Sequence, residues 1–301
     1  MISLKQINNQ YVKAIPIPDE DTRPIKGKDI VEEVYANIAL IAKKNSGKTS
    51  ALFKIMKECS VRKTILVIFC STAYKDKNWI QIRKYFEKKG MDVRVYTSIF
   101  EDGEDQLSNL IEDLKQDAKD EEARKKGGSK KEDEEVPDID KCDDILERLT
   151  NMHLRSIGRG AEVEEEPEDD KKKVRKSKYL APEYMIIFDD LSSELKSRSL
   201  LSLLKFNRHF KAKLIISTQW VHDLLPESRK QLDLFLIFKG FPEIKLKEIY
   251  KDCDSSIPFE TFLQIYHKAT QKPYSFLYID SRSDLFRRNF DSKFIIQGPE
   301  K

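Results

Sequence analysis

A short apolar run from Ile38 to Ile41 leads directly into the sequence Ala42-Lys43-Lys44-Asn45-Ser46-Gly47-Lys48-Thr49, and a helix-favouring stretch from Ser50 to Glu58 follows. A strand, a turn containing Gly-Lys-Thr and a helix in this order are typical of a loop that binds nucleoside triphosphates. In such a loop, Lys48 would reach the β- and γ-phosphates, and the Thr49 hydroxyl would ligate Mg²⁺. The residues predicted to hold the phosphates are Asn45, Ser46, Gly47, Lys48, Thr49 and Ser50.

The first position of this loop is Ala42, where the usual pattern has Gly. The letters of the motif alone would therefore miss the loop, and the prediction depends on the strand before it and the helix after it. An ordinary turn between a strand and a helix is the alternative interpretation.

Two adjacent acids end a second apolar run, Tyr184-Met185-Ile186-Ile187-Phe188-Asp189-Asp190. Ligands of α/β proteins bind where parallel strands end, so both carboxylates are expected at the phosphate site. Asp189 would hold Mg²⁺ through water, and Asp190 would accept a proton from the water that attacks the γ-phosphate. The alternative is that Asp190 or Ser192 caps a following helix.

A third apolar run, Lys213 to Gln219, ends in Ser-Thr-Gln. Gln219 is predicted to lie beside the γ-phosphate, where a neutral amide can orient the attacking water. Alone, Thr-Gln at the end of a strand is a weak indication. Three apolar strands that carry Gly-Lys-Thr, Asp-Asp and Ser-Thr-Gln in this order together predict an Mg²⁺-dependent ATPase.

With Phe69-Cys70-Ser71-Thr72 and Trp79, these motifs resemble the FtsK/HerA superfamily of DNA-pumping ATPases. Within it, the chain is similar to the poxvirus-type genome-packaging ATPases of large nucleocytoplasmic DNA viruses, over Ile38 to Phe100 and Tyr184 to Asp280. Asp190 stands where many members of the superfamily carry Glu. The resemblance implies a homo-oligomeric ring that moves double-stranded DNA into a viral capsid, with capsid or portal components as possible partners.

The same resemblance implies an arginine finger. Arg208 lies 11 positions before Gln219, and the matching residue in the FtsK branch reaches into the active site of the neighbouring subunit. Arg229, just before the predicted strand Leu234 to Phe238, is the second candidate. For either residue the alternative is a surface ion pair.

Charge and cysteine content limit the other classes of protein. With 55 basic and 52 acidic residues, the net charge is +3, which excludes a uniformly basic nucleic-acid coat protein. The four cysteines are scattered and indicate a reducing compartment rather than a disulfide framework. No membrane segment or secretory signal is expected. These features, with the resemblance, favour the host-cell cytoplasm, as in a virus factory, or the virion.

The resemblance implies a RecA-like α/β fold of the additional-strand class of P-loop NTPases, with a mostly parallel sheet flanked by helices. We expect an arm over residues 1–30, the first part of the ATPase core over 31–100, a charged and partly disordered insertion over 101–180, and the second part of the core over 181–301. One helix is predicted inside the insertion, from Ile139 to Ile157. A plain connection and a moving element over the nucleotide or DNA both remain open for this segment.

Two other functions stay open at this point. A helicase or DNA-segregation pump of the same superfamily would carry the same motifs, although an additional DNA-processing domain is expected of it. An ATP-binding scaffold that does not cycle is compatible with Ala42 and Asp190. Trp79 and Trp220 are either base-stacking residues or, more commonly for an aromatic beside a strand, part of the core.

Overall fold

The computed structural model describes residues 21–126 and 177–296. The strands are β1 (Asn37–Ile41), β2 (Ile65–Cys70), β3 (Val93–Tyr96), β4 (Phe100–Glu101), β5 (Glu104–Asp105), β6 (Tyr184–Asp189), β7 (Ala212–Thr218), β8 (Leu234–Phe238), β9 (Phe276–Asp280), β10 (Leu285–Arg288) and β11 (Ser292–Lys293). The helices are α1 (Lys48–Cys59), α2 (Lys77–Lys88), α3 (Gln106–Lys126), α4 (Arg198–Phe206), α5 (Pro226–Arg229), α6 (Glu243–Asp252) and α7 (Phe259–Ala269). A single 3₁₀ turn, Val221–Asp223, follows β7.

Nine strands form one sheet in the order β11-β10-β9-β8-β1-β7-β6-β2-β3. The six strands from β8 to β3 run parallel, and β9, β10 and β11 extend the sheet in antiparallel fashion. Strand β7 separates the phosphate-loop strand β1 from the acid-bearing strand β6. This additional strand and the mostly parallel central sheet confirm the predicted RecA-like α/β fold class.

The sheet is buried on both faces, which is why its strands are continuous apolar runs rather than alternating ones. On one face, Ile38 and Leu40 of β1 pack with Leu52 of α1 and Phe86 of α2. On the other face, helices α3, α4, α6 and α7 cover the alternate strand residues such as Ile41. Every residue of β1, β6, β7 and β8 is buried. The sheet therefore forms a rigid support for the loops at its edges.

Helix α3 corrects one predicted boundary. The charged insertion was expected to begin at residue 101, but Leu107, Leu110, Ile111 and Leu114 are buried against the sheet. Their spacing places them on one face of a helix whose other faces are charged. Residues up to α3 therefore belong to the core, and the segment that the structure does not describe starts at 127.

Some further differences concern the range that the structure describes and the elements within it. The predicted helix from Ile139 to Ile157 and most of the predicted arm lie outside the described residues. Helix α4 ends at Phe206, so Arg208 lies in the turn after it. Strands β10 and β11 were not predicted.

Hydrogen bonds of its backbone carbonyls and of one backbone N–H hold the segment before β1 on the core. The Lys213 Nζ donates to the Glu33 carbonyl at 2.7 Å, and the Arg287 Nη1 donates to the Asp29 carbonyl at 2.8 Å. The backbone N–H of Lys26 donates to the Leu180 carbonyl at 2.9 Å.

Across residues 21–126 and 177–296, no helix has both the length and the apolar character needed to cross a membrane.

Candidate nucleotide-binding site

The loop between β1 and α1 has the backbone of a phosphate-binding turn. Gly47 has φ 90° and Asn45 has φ 59°, so both residues are left-handed, and a Cβ added at Gly47 would lie only 3.2 Å from Cδ1 of Tyr274. The Ser46 hydroxyl donates to the Lys43 carbonyl at 2.7 Å and closes the turn. Because the first turn of a helix has no internal acceptors for its N–H groups, the start of α1 provides donors for an anion.

Lys48 lies between the two predicted acids. Its Nζ is 2.9 Å from Oδ1 of Asp189 and 3.6 Å from Oδ1 of Asp190. Burial lowers the pKa of Lys48, but the charges and hydrogen bonds of both aspartates outweigh burial and raise that pKa above its ordinary value. The ammonium group is therefore charged at neutral pH and stands next to the phosphate loop.

Asp189 ends strand β6 and is almost fully buried, with 4% of its surface exposed. Its Oδ1 accepts from Lys48, and its Oδ2 accepts from the indole Nε1 of Trp79 at 2.9 Å. Trp79 is 1% exposed and lies in the core beneath α2. Of the two interpretations of Trp79, the core position is thus confirmed, whereas its hydrogen bond to Asp189 was not predicted.

Asp190 differs from Asp189 in exposure and backbone. Its side chain is 40% exposed, it lines the cleft at the phosphate loop, and its φ of 61° is left-handed. The following helix α4 is capped by Ser197, whose hydroxyl accepts from the Leu200 N–H at 3.1 Å. The alternative that Asp190 or Ser192 caps this helix is therefore wrong.

Strand β7 brings the third motif between the other two. Thr218 is in register with Ile41 at the start of the loop, and Ser217 is in register with Asp189. The Ala42 N–H donates to the Thr218 carbonyl at 3.0 Å, which ties the loop to β7. Gln219 is the next residue after this strand, at the same edge of the sheet, and its predicted contact with a γ-phosphate remains a prediction.

The residues at this edge fit a bound Mg²⁺ ion. Thr49 lines the cleft beside Lys48 and Asp190, and a hydroxyl and a carboxylate are oxygen ligands of the kind that Mg²⁺ prefers. The buried Ser217 hydroxyl, beside Asp189, has no hydrogen-bond partner among the described residues. A water molecule in the coordination shell of the ion would satisfy such a group.

The cleft has a volume of about 950 Å³, within the range of sites that hold a whole small-molecule ligand. Beside the phosphate loop and Asp190, it is lined by Phe53, Asp76, Asn78, Gln81, Ile82, Tyr85 and Tyr274. None of these residues was predicted from the sequence. Asp76 gave the one local signal, since its carboxylate accepts from the Asn78 N–H at 2.7 Å and caps α2.

The two candidate arginines lie in different environments. Arg208 is exposed in the turn that leads into the amino end of β7, so it is at the opposite edge of the sheet from its own phosphate loop. Its side chain has no hydrogen bond or ion pair within the described ranges. The Nη1 of Arg229 is 2.7 Å from Oδ2 of Asp252 within the same chain, and only 15% of the Arg229 side chain is exposed.

Comparisons with known proteins give likenesses of limited extent. No profile of a known protein family matches this chain. The uncharacterized protein 075L of Invertebrate iridescent virus 6 is 31% identical over 120 residues, which cover 37% of this chain and 46% of that relative. The chain thus matches about half the length of this relative.

Two solved structures are similar at lower identity. The genome packaging NTPase B204 from Sulfolobus turreted icosahedral virus 2, in complex with AMP, is 18% identical with a TM-score of 0.47, over 88% of this chain and 100% of that chain. ATPases 2 and 3 of EssC from Geobacillus thermodenitrificans are 11% identical with a TM-score of 0.37, over 67% of this chain and 32% of that chain. At this level of identity, neither likeness assigns a function.

Proposed function

We propose that this chain is an Mg²⁺-dependent ATPase that drives double-stranded DNA into a viral capsid as a subunit of a homo-oligomeric ring. The observation that carries the ATPase part is the position of Lys48 at the start of α1, where its ammonium group contacts both Asp189 and Asp190. A cation, two carboxylates and a helix N-terminus at one strand edge are the groups that phosphoryl transfer requires.

Each residue has a separate role in this proposal. When ATP binds, its phosphates take the place of Asp189 as the partner of Lys48. Bound Mg²⁺ would neutralise phosphate charge, and Thr49 and Asp189 are the residues that would hold it. Asp190, more exposed than Asp189, accepts the proton of the attacking water, and Gln219 orients that water.

The DNA, ring and capsid parts of the proposal depend on the resemblance of the motifs to packaging ATPases. The placement of Arg208 supports the ring, because an arginine at the far edge of the sheet can only act on the site of a neighbouring subunit. Capsid or portal components are the partners that such a ring would dock on.

ATP hydrolysis by purified protein, with and without duplex DNA, tests the enzyme assignment. Lys48→Ala is expected to abolish hydrolysis, whereas Asp190→Asn is expected to bind ATP normally and lose turnover. Asparagine tolerates the left-handed backbone of position 190, so this variant removes the carboxylate without straining the turn.

Two matched controls separate chemistry from folding. Lys54→Ala removes an exposed lysine of the same helix, whose ammonium pairs with Glu58, and Asp102→Asn changes another left-handed aspartate. Both should keep full activity. If Asp190→Asn turns over at the wild-type rate, Asp190 is not the base.

The DNA dependence separates the remaining functions. A wild-type chain that binds ATP but does not hydrolyse it with or without DNA is a nucleotide-binding scaffold. Hydrolysis coupled to strand separation, rather than to movement along intact duplex DNA, indicates a helicase. Both outcomes contradict a packaging motor.

A further inference from the structure

The hydrogen bond between Trp79 and Asp189 is not explained by the roles given so far. A buried indole N–H needs an acceptor, and Trp79 donates to the Oδ2 of Asp189, a residue 110 positions away, at 2.9 Å. The acceptor is thus the carboxylate assigned to Mg²⁺, and the donor lies outside the phosphate loop and outside the cleft.

The two oxygens of Asp189 have donors of very different mobility. Oδ1 accepts from the ammonium group of Lys48, whose side chain is 15% exposed and borders the cleft. Oδ2 accepts from Trp79, which is 1% exposed and fixed in the core by helix α2. Phosphates in the cleft can therefore take Lys48 away from Oδ1, but they cannot reach the donor at Oδ2.

We infer that Trp79 is a positioning residue for the metal-holding carboxylate. Its N–H keeps Oδ2 engaged, so that Oδ1 is the oxygen that becomes free when Lys48 moves to the phosphates. Without this bond the carboxylate can rotate, and its two oxygens become equivalent. The inference rests on the proposed Mg²⁺–ATP site.

The expected size of the effect follows from comparable sites. Loss of an outer residue that orients a metal ligand typically costs about 10- to 100-fold in metal affinity or activity. Trp79→Phe should therefore raise the Mg²⁺ concentration at half-maximal turnover by roughly 10- to 100-fold, while binding of ATP in the absence of Mg²⁺ stays unchanged. A residue that only fills the core would not change the Mg²⁺ dependence selectively.

Phe86→Leu is the matched control. Phe86 lies on the same helix, belongs to the same buried cluster and is also 1% exposed, but it has no polar group to donate. This variant should lower the melting temperature about as much as Trp79→Phe and leave the Mg²⁺ dependence at the wild-type value.

A spectroscopic readout tests the bond independently of activity. The protein has two tryptophans, so its ¹H–¹⁵N spectrum contains two indole signals, and Trp220→Phe leaves that of Trp79. This signal should exchange slowly with solvent. It should shift when Mg²⁺ is added to the complex with a non-hydrolysable ATP analogue, and shift much less with Mg²⁺ alone.

The outcomes separate this inference from the proposed function. If wild-type protein shows Mg²⁺-dependent nucleotide binding but Trp79→Phe has the wild-type Mg²⁺ dependence, the positioning role alone is wrong. If wild-type protein shows no Mg²⁺-dependent nucleotide binding, the proposed function and this inference are both wrong. If Trp79→Phe does not fold, the folded Trp220→Phe protein decides. An indole signal of Trp79 that does not shift when Mg²⁺ is added to the complex with the ATP analogue overturns the inference.

Discussion

The polar groups at the two edges of the parallel sheet differ in how many hydrogen-bond partners they have. At the carboxyl edge, Lys48 and Asp190 line an open cleft, Lys48 pairs with the buried Asp189, and the Ser217 hydroxyl has no partner among the described residues. At the amino edge, the Nδ2 of the buried Asn37 donates to the carbonyls of Leu204 and Gln231 at 3.0 and 2.7 Å.

The contrast is one of degree, since the protein pairs more of the polar groups of Asn37 at the amino edge than of Ser217 at the carboxyl edge. Buried polar groups need partners, and the amino edge supplies many of them from backbone and side chains: the Asn37 N–H, for example, donates to Oδ2 of Asp233 at 2.8 Å, although the Asn37 Oδ1 has no partner among the described residues. The carboxyl edge supplies only part of them, as expected of a surface shaped for a charged ligand. Arg208 is an exposed exception at the amino edge, because its guanidinium has no hydrogen-bond or ion-pair partner in the described ranges.

The largest expected effect is at this exception. If Arg208 completes the site of a neighbouring subunit, Arg208→Ala should bind ATP normally and lose about 10³- to 10⁵-fold in turnover. Arg229→Ala is the comparison, since Arg229 is already paired with Asp252 inside the chain, and it should reduce stability more than turnover. Steady-state rates and melting temperatures of both variants measure the difference.

A mixing experiment tests whether the amino edge of one subunit contacts the carboxyl edge of its neighbour. Arg208→Ala and Lys48→Ala chains are each inactive, but a mixed ring contains interfaces with an intact loop and an intact arginine, so partial activity should return. If the mixture stays inactive while Arg229→Ala with Lys48→Ala recovers, the finger is Arg229. Activity per chain that stays constant on dilution to monomer contradicts a shared site altogether.

An intermediate effect is expected at Cys70, which tests how far the carboxyl edge is open. Cys70 is in register with Asp189, yet burial raises the pKa of its thiol to about 11 from 9.0. The thiolate is the reactive form, so Cys70 should react with iodoacetamide about a hundredfold more slowly than a free thiol at pH 8. Mass spectrometry of tryptic peptides follows the reaction.

Ser71→Cys is the matched control, because position 71 is the next residue and is exposed. The introduced thiol should be alkylated at the rate of a free cysteine. Equally fast alkylation of Cys70 in the folded wild-type protein would mean that the strand ends beside Asp189 are open to solvent and that the cleft is wider than the phosphate site.

Much of the fold and the placement of three motifs could be predicted from the sequence, because local patterns determine them. A buried parallel strand that ends in Asp189-Asp190 or in Ser217-Thr218-Gln219 must deliver those residues to the edge where β1 delivers the phosphate loop. The strand order followed only from the resemblance, and the structure confirms it with β7 between β1 and β6.

The contacts that complete the site could not be predicted in this way. The hydrogen bond from Trp79 to Asp189 joins residues 110 positions apart. Tyr274, in the turn before β9, lies next to Gly47. Both contacts depend on how helices and turns pack against each other in the folded protein, which the local sequence does not determine. Helix α3 is a different case: the spacing of Leu107, Leu110, Ile111 and Leu114 was visible, but the high charge of the surrounding residues hid it.

The smallest expected effect is at the amino edge, where Lys213 is fully buried near the start of β7. The one hydrogen bond of its ammonium group in the described structure is to the Glu33 carbonyl, and burial lowers the pKa of this group. Lys213→Met keeps an unbranched side chain that is one atom shorter and removes the buried amine. Since the desolvation of the amine outweighs one hydrogen bond, the variant should be more stable by about 1 kcal/mol at pH 7.

The stability of the wild-type protein should depend on pH in a defined direction. Because the pKa of Lys213 in the folded protein lies below the ordinary value of 10.5, the unfolded chain binds more protons between these two values, and the stability of the wild type rises with pH there. The advantage of Lys213→Met in urea unfolding should therefore shrink as the pH approaches 10.5. Lys205→Met, at an exposed position of α4, should show no such trend. A Lys213→Met protein that is less stable than wild type at every pH would mean that the amino edge depends on this amine, and that the two edges differ less than their hydrogen bonds indicate.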